Sequence, residues 1–224
     1  IKNPTPDEQL AICFTVLAEI ADKLPGGVVT YKGTKKYKSK PIKSTFKDKR
    51  VKYNVGKGDG QGIAQSSSGI RADLFLDVPK QDWYAYEEEY GTDQEKYLVR
   101  FVHSYIDKLK EKYDTVFLLR NERFVAIYSF EDGSRTDPDY LLFLEQKKEP
   151  KRIMYQLFIE PKGEHLIKTD SWKEEFLKSI ESEHEPIVLA EDREYKLIGM
   201  PFYHEELRKD EFQNKFIQVT DIDE

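Results

Sequence analysis

Two carboxylates and a lysine stand beside two apolar runs of the sequence. Asp139 directly precedes the run at 140–144, and Glu160 and Lys162 follow the run at 153–159. Neighbouring carboxylates repel each other unless a cation lies between them, and their hard oxygen atoms suit Mg²⁺, which often binds one or two carboxylates together with substrate phosphate. A lysine beside such an ion could position or deprotonate an attacking water, or neutralise charge on phosphorus oxygens. These side chains therefore indicate metal-assisted chemistry at a phosphate group.

The two apolar runs predict the arms of an antiparallel β-hairpin. Both are rich in Tyr, Phe, Leu and Ile, and the charged segment 147–152 between them contains a proline that ends strand pairing. A turn centred at 149–150 gives cross-strand partners whose residue numbers add up to about 299, so Asp139 should lie opposite Glu160 with Cβ atoms about 5 Å apart. Because side chains alternate along a strand, Glu160 and Lys162 should point to the same face.

Other patterns predict the elements around this hairpin. Capping boxes at 5–8 and 92–95 begin two helices, the first with apolar residues at core-like spacing to Ile20 and the second with an apolar face to Leu109. Strand-like runs follow at 115–119 and 124–130. After the hairpin we expect a helix from about Asp170 and a last strand at 187–189 or 195–198.

Composition and charge narrow the class of protein. The 224 residues contain thirteen Phe and fourteen Tyr, which is enough apolar area for a folded core. The single Cys13 cannot form an internal disulfide, and no apolar run reaches membrane-spanning length, so we expect a soluble, cytoplasmic protein. Because Ile1 and not Met begins the sequence, we also expect it to be part of a longer or processed chain.

Basic charge is concentrated in one segment of an acidic chain. The formal net charge is -6, yet residues 32–57 contain eleven Lys or Arg and one acid. Lysines interleaved with aromatic residues suit phosphate contacts, but a solvated loop between domains explains the composition equally well. The glycine-rich stretch 56–69 lacks the spacing of a phosphate-binding loop and is interpreted as a linker.

Pro138-Asp139 and Glu160-Pro161-Lys162 resemble the motif of PD-(D/E)XK nucleases. The resemblance implies that Asp139 and Glu160 hold Mg²⁺ or Mn²⁺, that the Pro161 carbonyl helps, and that Lys162 serves the hydrolytic water. It also implies an α/β (α+β) fold, with a restriction-endonuclease-like αβββαβ core in which helices flank a mixed central sheet.

Glu95 and Asp137 leave alternatives open. Glu95 can be the third residue of a capping box that bonds back to Thr92, or it can resemble the acidic residue that many such nucleases carry on the helix before the sheet. Asp137 could face the metal instead of Asp139. We favour Asp139 because it directly precedes the apolar strand.

Several short sequence segments resemble one branch of these nucleases, the C-terminal part of the restriction (Res) subunit of type III restriction-modification enzymes. They are YKSKP at 37–41, DQEK at 93–96, LRNER at 119–123, FIEPKGEH at 158–165 and DSWKEEFL at 170–177. The resemblance implies an endonuclease of double-stranded DNA, an ATP-dependent helicase or translocase part of the same longer chain, and a modification methyltransferase subunit as partner.

The predicted organisation and function follow from these expectations. Residues 1–90 are predicted to form a connecting subdomain with the N-terminal helix and the basic segment, and residues 91–224 the nuclease domain. The predicted DNA contacts are Lys36, Lys38, Lys40, Lys43 and Lys173. The alternative is a non-catalytic DNA-binding or assembly module that keeps the fold and only positions another part of a larger complex.

Overall fold

The computed structural model describes residues 4–23, 32–47, 60–148, 151–184, 187–190 and 193–223. Within these ranges the helices are α1 (Pro6–Lys23), α2 (Ile42–Thr45), α3 (Asp93–Ser104), α4 (Ile106–Lys112), α5 (Glu164–Ile167), α6 (Ser171–Glu183) and α7 (Lys209–Thr220). The strands are β1 (Thr115–Arg120), β2 (Ile127–Tyr128), β3 (Arg135–Thr136), β4 (Tyr140–Lys148), β5 (Lys151–Ile159), β6 (Ile187–Ala190) and β7 (Arg193–Gly199). Among the helices of the described ranges, none combines the length and the hydropathy that crossing a bilayer requires.

The expectation that α1 is a core helix is wrong. Its predicted capping box forms, since the Thr5 N–H donates to the Glu8 carboxylate at 2.7 Å. Its apolar residues nevertheless face solvent, and Phe14 is 65% exposed. Helical spacing predicts an apolar stripe but not the surface that covers the stripe.

Two aromatic residues fix the basic segment 32–47 to the folded domain. The Tyr37 ring lies 6.4 Å from the Phe158 ring and 6.2 Å from the Phe130 ring, measured between centroids. The Phe46 ring lies 5.3 Å from the Phe124 ring. The segment is therefore held against one face of the sheet, while residues 48–57 of the predicted basic stretch lie outside the described residues.

Residues 60–69 do not form the flexible linker that their glycines suggest. Gln65 is fully buried, and its amide nitrogen donates to the carbonyl oxygens of Leu74 and Lys96 at 2.9 Å each. Further along, Trp83 and Tyr84 are buried in the same hydrophobic cluster as α3. The glycines permit tight turns, and the polar residues between them provide the hydrogen bonds that pack this stretch.

One mixed sheet forms the centre of the domain, with strand order β1-β4-β5-β7-β6. The hairpin β4–β5 confirms the predicted register, because Tyr140 pairs with Ile159 and Lys148 with Lys151. The predicted turn at 149–150 lies outside the described residues. Strand β7 runs parallel to β5, and β1, β4 and β5 are antiparallel neighbours, so the fold is α+β with a mixed sheet between helices.

Helices cover both faces of this sheet because the strand residues alternate. Leu142, Leu157 and Ile159 belong to the cluster that contains residues of α3, α4 and α7. Leu141, Phe143 and Phe158 belong to the cluster that contains residues of α6. On the α6 side, a Cβ atom at Gly199 would lie 1.9 Å from the Leu177 carbonyl oxygen, so only glycine permits this approach of helix and strand.

Three other elements differ from the sequence-based expectation. The predicted helix after Thr92 is broken at Tyr105, where φ is -106° and ψ is 1°. The predicted strand at 124–130 is reduced to Ile127–Tyr128, since the Asn121 side chain holds the Val125 backbone in a turn. Both alternatives for the last strand are strands, and they pair with each other as β6 and β7.

Candidate active site

The hairpin brings Asp139 and Glu160 together at its open end. The Asp139 backbone N–H donates to Glu160 Oε2 at 3.0 Å. Burial raises the pKa of the Asp139 carboxyl well above its usual range, and the charges of Glu160 and Glu95 raise it further. Among the described residues no hydrogen bond or ion pair to the Asp139 carboxylate is found. The ionised form of Asp139 is therefore disfavoured, and a cation beside it would stabilise that form.

Lys162 lies on the same face as Glu160, as the strand alternation predicts. Its ammonium contacts Glu160 Oε1 at 2.7 Å and Asp170 Oδ2 at 2.9 Å. Burial disfavours the charged ammonium, but the neighbouring carboxylates outweigh burial and raise the pKa of Lys162. Lys162 is therefore a fixed cation beside the carboxylate pair.

The backbone after Glu160 is held by a short parallel bridge between Pro161 and Tyr203. The Lys162 N–H donates to the Tyr203 carbonyl at 2.9 Å, and the Tyr203 N–H donates to the Glu160 carbonyl at 3.0 Å. These two bonds do not involve the Pro161 carbonyl oxygen, and no hydrogen bond to that oxygen is found among the described residues. Pro161 itself is buried, and a role of its carbonyl oxygen as a metal ligand stays a prediction.

Glu95 forms the predicted capping box, and its second carboxylate oxygen faces Arg120. Its Oε2 accepts from the Thr92 backbone N–H at 2.7 Å, and the Thr92 hydroxyl accepts from the Glu95 N–H, which completes the capping box. Its Oε1 contacts Arg120 Nη2 at 2.8 Å at the edge of the site. Burial raises the pKa of Glu95, and the Arg120 charge opposes this effect.

Arg120 connects Glu95 to a buried carboxylate. Arg120 Nη1 contacts Glu89 Oε1 at 2.8 Å, and Arg120 Nε contacts Glu122 at 3.3 Å. The Glu89 side chain is 0% exposed, and its other oxygen accepts from the Tyr140 hydroxyl at 2.8 Å. Tyr84 donates to the same oxygen.

Asn121 fixes the backbone at Pro138 and Asp139. Its side-chain amide donates to the carbonyl oxygens of Pro138 and Val125 at 2.7 Å each. Its backbone N–H donates to the Asp139 carbonyl, also at 2.7 Å. Nearby, Asp137 pairs with Arg135 at 2.8 Å, so Asp139 and not Asp137 accompanies Glu160.

A cleft of about 430 Å³ is lined by residues of all these segments, among them Glu95, Arg120, Asn121 and Glu160. The predicted catalytic residues Glu95, Asp139, Glu160 and Lys162 all line it. Its basic lining residues are Arg120, Arg123, Arg135, Lys162 and Lys173. Polar walls and a mixture of both charges suit a charged ligand better than an apolar one.

The predicted DNA-binding lysines divide into two groups. Lys173 lines the cleft, where it contacts Asp170 at 2.8 Å. The exposed residues Lys36, Lys38, Lys40 and Lys43 lie outside the cleft lining, on the segment that Tyr37 and Phe46 fix to the domain.

The donor set fits a hard divalent ion that keeps several waters. In the described part of the chain, no group of three or more His, Cys, Asp or Glu could hold a metal on its own. Asp139, Glu160 and the Pro161 carbonyl would supply oxygen ligands, which is the partial shell typical of Mg²⁺ beside a phosphate.

Sequence reasoning missed Glu89, Arg120 and the role of Asp170. Glu89 belongs to the acidic run 87–89, which favours an exposed position, and no local pattern distinguishes it from Glu87. Arg120 lies in LRNER, one of the segments on which the resemblance rests. Its position at the end of a buried strand could have identified it as a candidate. Asp170 was expected only to begin a helix.

Comparisons with known proteins add a family and a distant relative. The model of a family described as HI_1054_C, C-terminal domain, matches residues 31–224. An uncharacterized protein of Haemophilus influenzae (strain ATCC 51907 / DSM 11121 / KW20 / Rd) is 33% identical over 210 residues, or 90% of this chain. The match spans 42% of that relative's length. No solved structure matches the chain.

Proposed function

The chain belongs to the HI_1054_C C-terminal domain family, and we propose that it is a metal-dependent endonuclease domain that hydrolyses DNA phosphodiester bonds. One observation carries this proposal. Asp139, Glu160 and Lys162 meet at one face of a hairpin, where the described residues supply no donor to the Asp139 carboxylate and Lys162 carries a fixed charge. A site abandoned by catalysis would have no physical reason to keep this repulsion.

The order of elements supports a restriction-endonuclease-like αβββαβ core. Helices α3 and α4 precede β1, the hairpin β4–β5 continues the antiparallel sheet, and α6 leads through β6 to the parallel strand β7. In this arrangement the end of β5 places Glu160 beside the residue before β4. This arrangement supports the proposed motif.

Each residue has a separate task in the proposed reaction. Asp139, Glu160 and the Pro161 carbonyl would hold Mg²⁺ or Mn²⁺, and the bound ion supplies an activated water and positive charge for the phosphate oxygens. Lys162 keeps its proton, so it orients water and stabilises negative charge that develops on the phosphate. Lys173 and Arg135 at the cleft would contact flanking phosphates.

The wider assembly is proposed from the resemblance to type III restriction enzymes. The chain spans less than half the length of its relative, which leaves room for an ATP-dependent helicase or translocase in the longer protein. A modification methyltransferase would be the partner that selects sites on double-stranded DNA. A cytoplasmic location is part of the same proposal.

A non-catalytic assembly module is the second candidate. The observation that favours it is α1, whose apolar side chains are exposed and would suit contact with another part of a complex. The two candidates differ in whether the cleft performs chemistry.

Nicking of supercoiled plasmid by the purified chain separates the two candidates. We expect nicking with Mg²⁺ or Mn²⁺, loss of nicking with EDTA, and loss in Asp139→Asn and Lys162→Met. Asp137→Asn is the matched control, because Asp137 lines the same cleft but pairs with Arg135. Absence of nicking by the wild type would favour the assembly module, whereas full activity of Asp139→Asn would remove Asp139 from the proposed site.

A further inference from the structure

The Arg120 guanidinium occupies a fixed position between two carboxylates of the cleft region. It contacts Glu89 and Glu95 at 2.8 Å each, through different nitrogens. Its side chain is only 15% exposed, and its backbone carbonyl accepts from the Tyr86 hydroxyl at 2.9 Å. Both ends of the residue are therefore held.

Glu89 explains why this guanidinium stays in place. Its carboxylate has no solvent contact and accepts from the Tyr84 and Tyr140 hydroxyls and from the Gly91 N–H. A buried carboxylate without a cation is strongly destabilising, and Arg120 is the cation in contact with it. Moving Arg120 away would leave that charge uncompensated.

Both oxygens of Glu95 are engaged, as are those of Glu160, but the cation that Glu95 meets is tied to a second carboxylate that is fully buried. Oε2 accepts from the Thr92 N–H and the Thr92 hydroxyl at 2.7 and 2.9 Å. Oε1 faces Arg120. A metal ion at Glu95 would meet the guanidinium that Glu89 holds in place, whereas no ion pair to the Asp139 carboxylate is found among the described residues.

We propose that Arg120 takes the place of a second metal ion beside Glu95, so that the site binds a single divalent ion at Asp139 and Glu160. Glu95 is then a positioning residue that orients Arg120, and it is not a metal ligand. This inference rests on the proposed function and specifies the number of metal ions. A guanidinium suits this position because its planar donors bridge two carboxylates with fixed geometry.

Calorimetric titration of the DNA-free chain with Mn²⁺ tests the proposal without a measurement of activity. We expect one Mn²⁺ per chain, and nearly unchanged affinity in Glu95→Gln, since Gln is accepted in a capping box. Asp139→Asn, which removes a proposed ligand, should weaken binding by about 10-fold or more. Two ions in the wild type, or a loss in Glu95→Gln as large as that in Asp139→Asn, would overturn the proposal.

A paired substitution tests the role of Arg120 itself. Glu89→Gln combined with Arg120→Met removes the buried charge and its cation together, which avoids an unpaired buried carboxylate. We expect this variant to bind a second Mn²⁺ at the released Glu95, and a single ion in a folded double variant would contradict the role of Arg120. If the variant fails to fold, as judged by circular dichroism, the Glu95→Gln titration decides. Failure of the wild type to bind any Mn²⁺ would instead remove the proposed function.

Discussion

The Asp170 carboxylate contacts the Lys162 ammonium at 2.9 Å and so joins the start of α6 to the hairpin. Asp170 occupies the N-cap position of α6 but makes no side-chain cap hydrogen bond. Its Oδ2 contacts Lys162 and Lys173 instead. A residue type that commonly caps helices is used here to hold a lysine of the cleft.

Asp170→Asn should impair cleavage without weakening the helix. The Asp170 side chain makes no cap hydrogen bond that Asn could lose, but Asn removes one of the two negative charges that hold Lys162. We expect the single-turnover nicking rate to fall by about 10- to 100-fold through misplacement of Lys162. The melting temperature should stay close to that of the wild type.

Lys178→Ala is the control for this variant. It removes another lysine of α6 that pairs with carboxylates outside the cleft lining, and it leaves the contact between Lys162 and Asp170 in place. An Asp170→Asn protein that nicks at the wild-type rate would show that Glu160 alone positions Lys162.

Asp139→Asn should stabilise the metal-free protein at neutral pH. Folding raises the pKa of Asp139, so its contribution to stability is present below its unfolded pKa of about 4 and is lost as pH rises through the folded value. Asn cannot ionise, and the advantage of the variant should therefore grow as pH rises above about 4. A gain of about 1 kcal/mol would raise the melting temperature by about 2–4 °C in EDTA.

Adding Mg²⁺ should reverse this order, because a ligand that binds the folded state stabilises only the protein that binds it. Asp137→Asn serves as the control in both conditions. Equal melting temperatures of wild type and Asp139→Asn at every pH would show that Asp139 is not under electrostatic strain.

Glu89→Gln should be among the most destabilising conservative changes in the chain. It keeps the shape of the side chain but removes the charge that meets Arg120 and two tyrosine hydroxyls. We expect a loss of about 3 kcal/mol in the free energy of unfolding, measured in urea. Its exposed neighbour supplies the comparison, since Glu87→Gln should change stability very little. Similar urea midpoints for the two variants would contradict the buried ion pair.

Lysines of the segment 32–47 should set the salt dependence of DNA binding. Lys38, Lys40 and Lys43 are exposed, and no ion pair of theirs is found among the described residues. Replacing all three by Ala should reduce the slope of log affinity against log salt by about 2–3 on duplex DNA of random sequence, because each lost phosphate contact removes about 0.9.

A second triple variant controls for the loss of net charge. Lys110, Lys178 and Lys215 are paired with Asp82, Glu211 and Glu181 on the surface. Their replacement by Ala should leave the slope nearly unchanged. The same slope for both triple variants would remove segment 32–47 from the DNA-binding surface.

The hairpin could be predicted because the residues that determine it lie close together in the sequence. Two apolar arms and a charged turn fix the register, and the register alone brings Asp139 beside Glu160. The capping box at Thr92 was predictable for the same reason. In these cases the partners are joined by a strand pairing or a single helical turn.

Long-range partners could not be predicted in this way. Glu89 and Arg120 are 31 residues apart in sequence, and their contact depends on how residues 60–91 pack against the sheet. The break at Tyr105 and the turn held by Asn121 likewise depend on tertiary contacts that override local propensity. Helix α1 is a different case. Its apolar spacing predicted a buried face, but among the described residues no surface covers that face.

The hydrogen bonds of Asn121 have a consequence for the thermodynamics of the site. They immobilise the carbonyls of Pro138 and Asp139, while Tyr203 immobilises the strand end at Glu160. The conformational entropy of these backbones is therefore lost when the chain folds and not when an ion or a phosphate arrives. Binding at this cleft should accordingly proceed with little rearrangement of the chain, and the site should discriminate among ions by the spacing of its oxygen atoms.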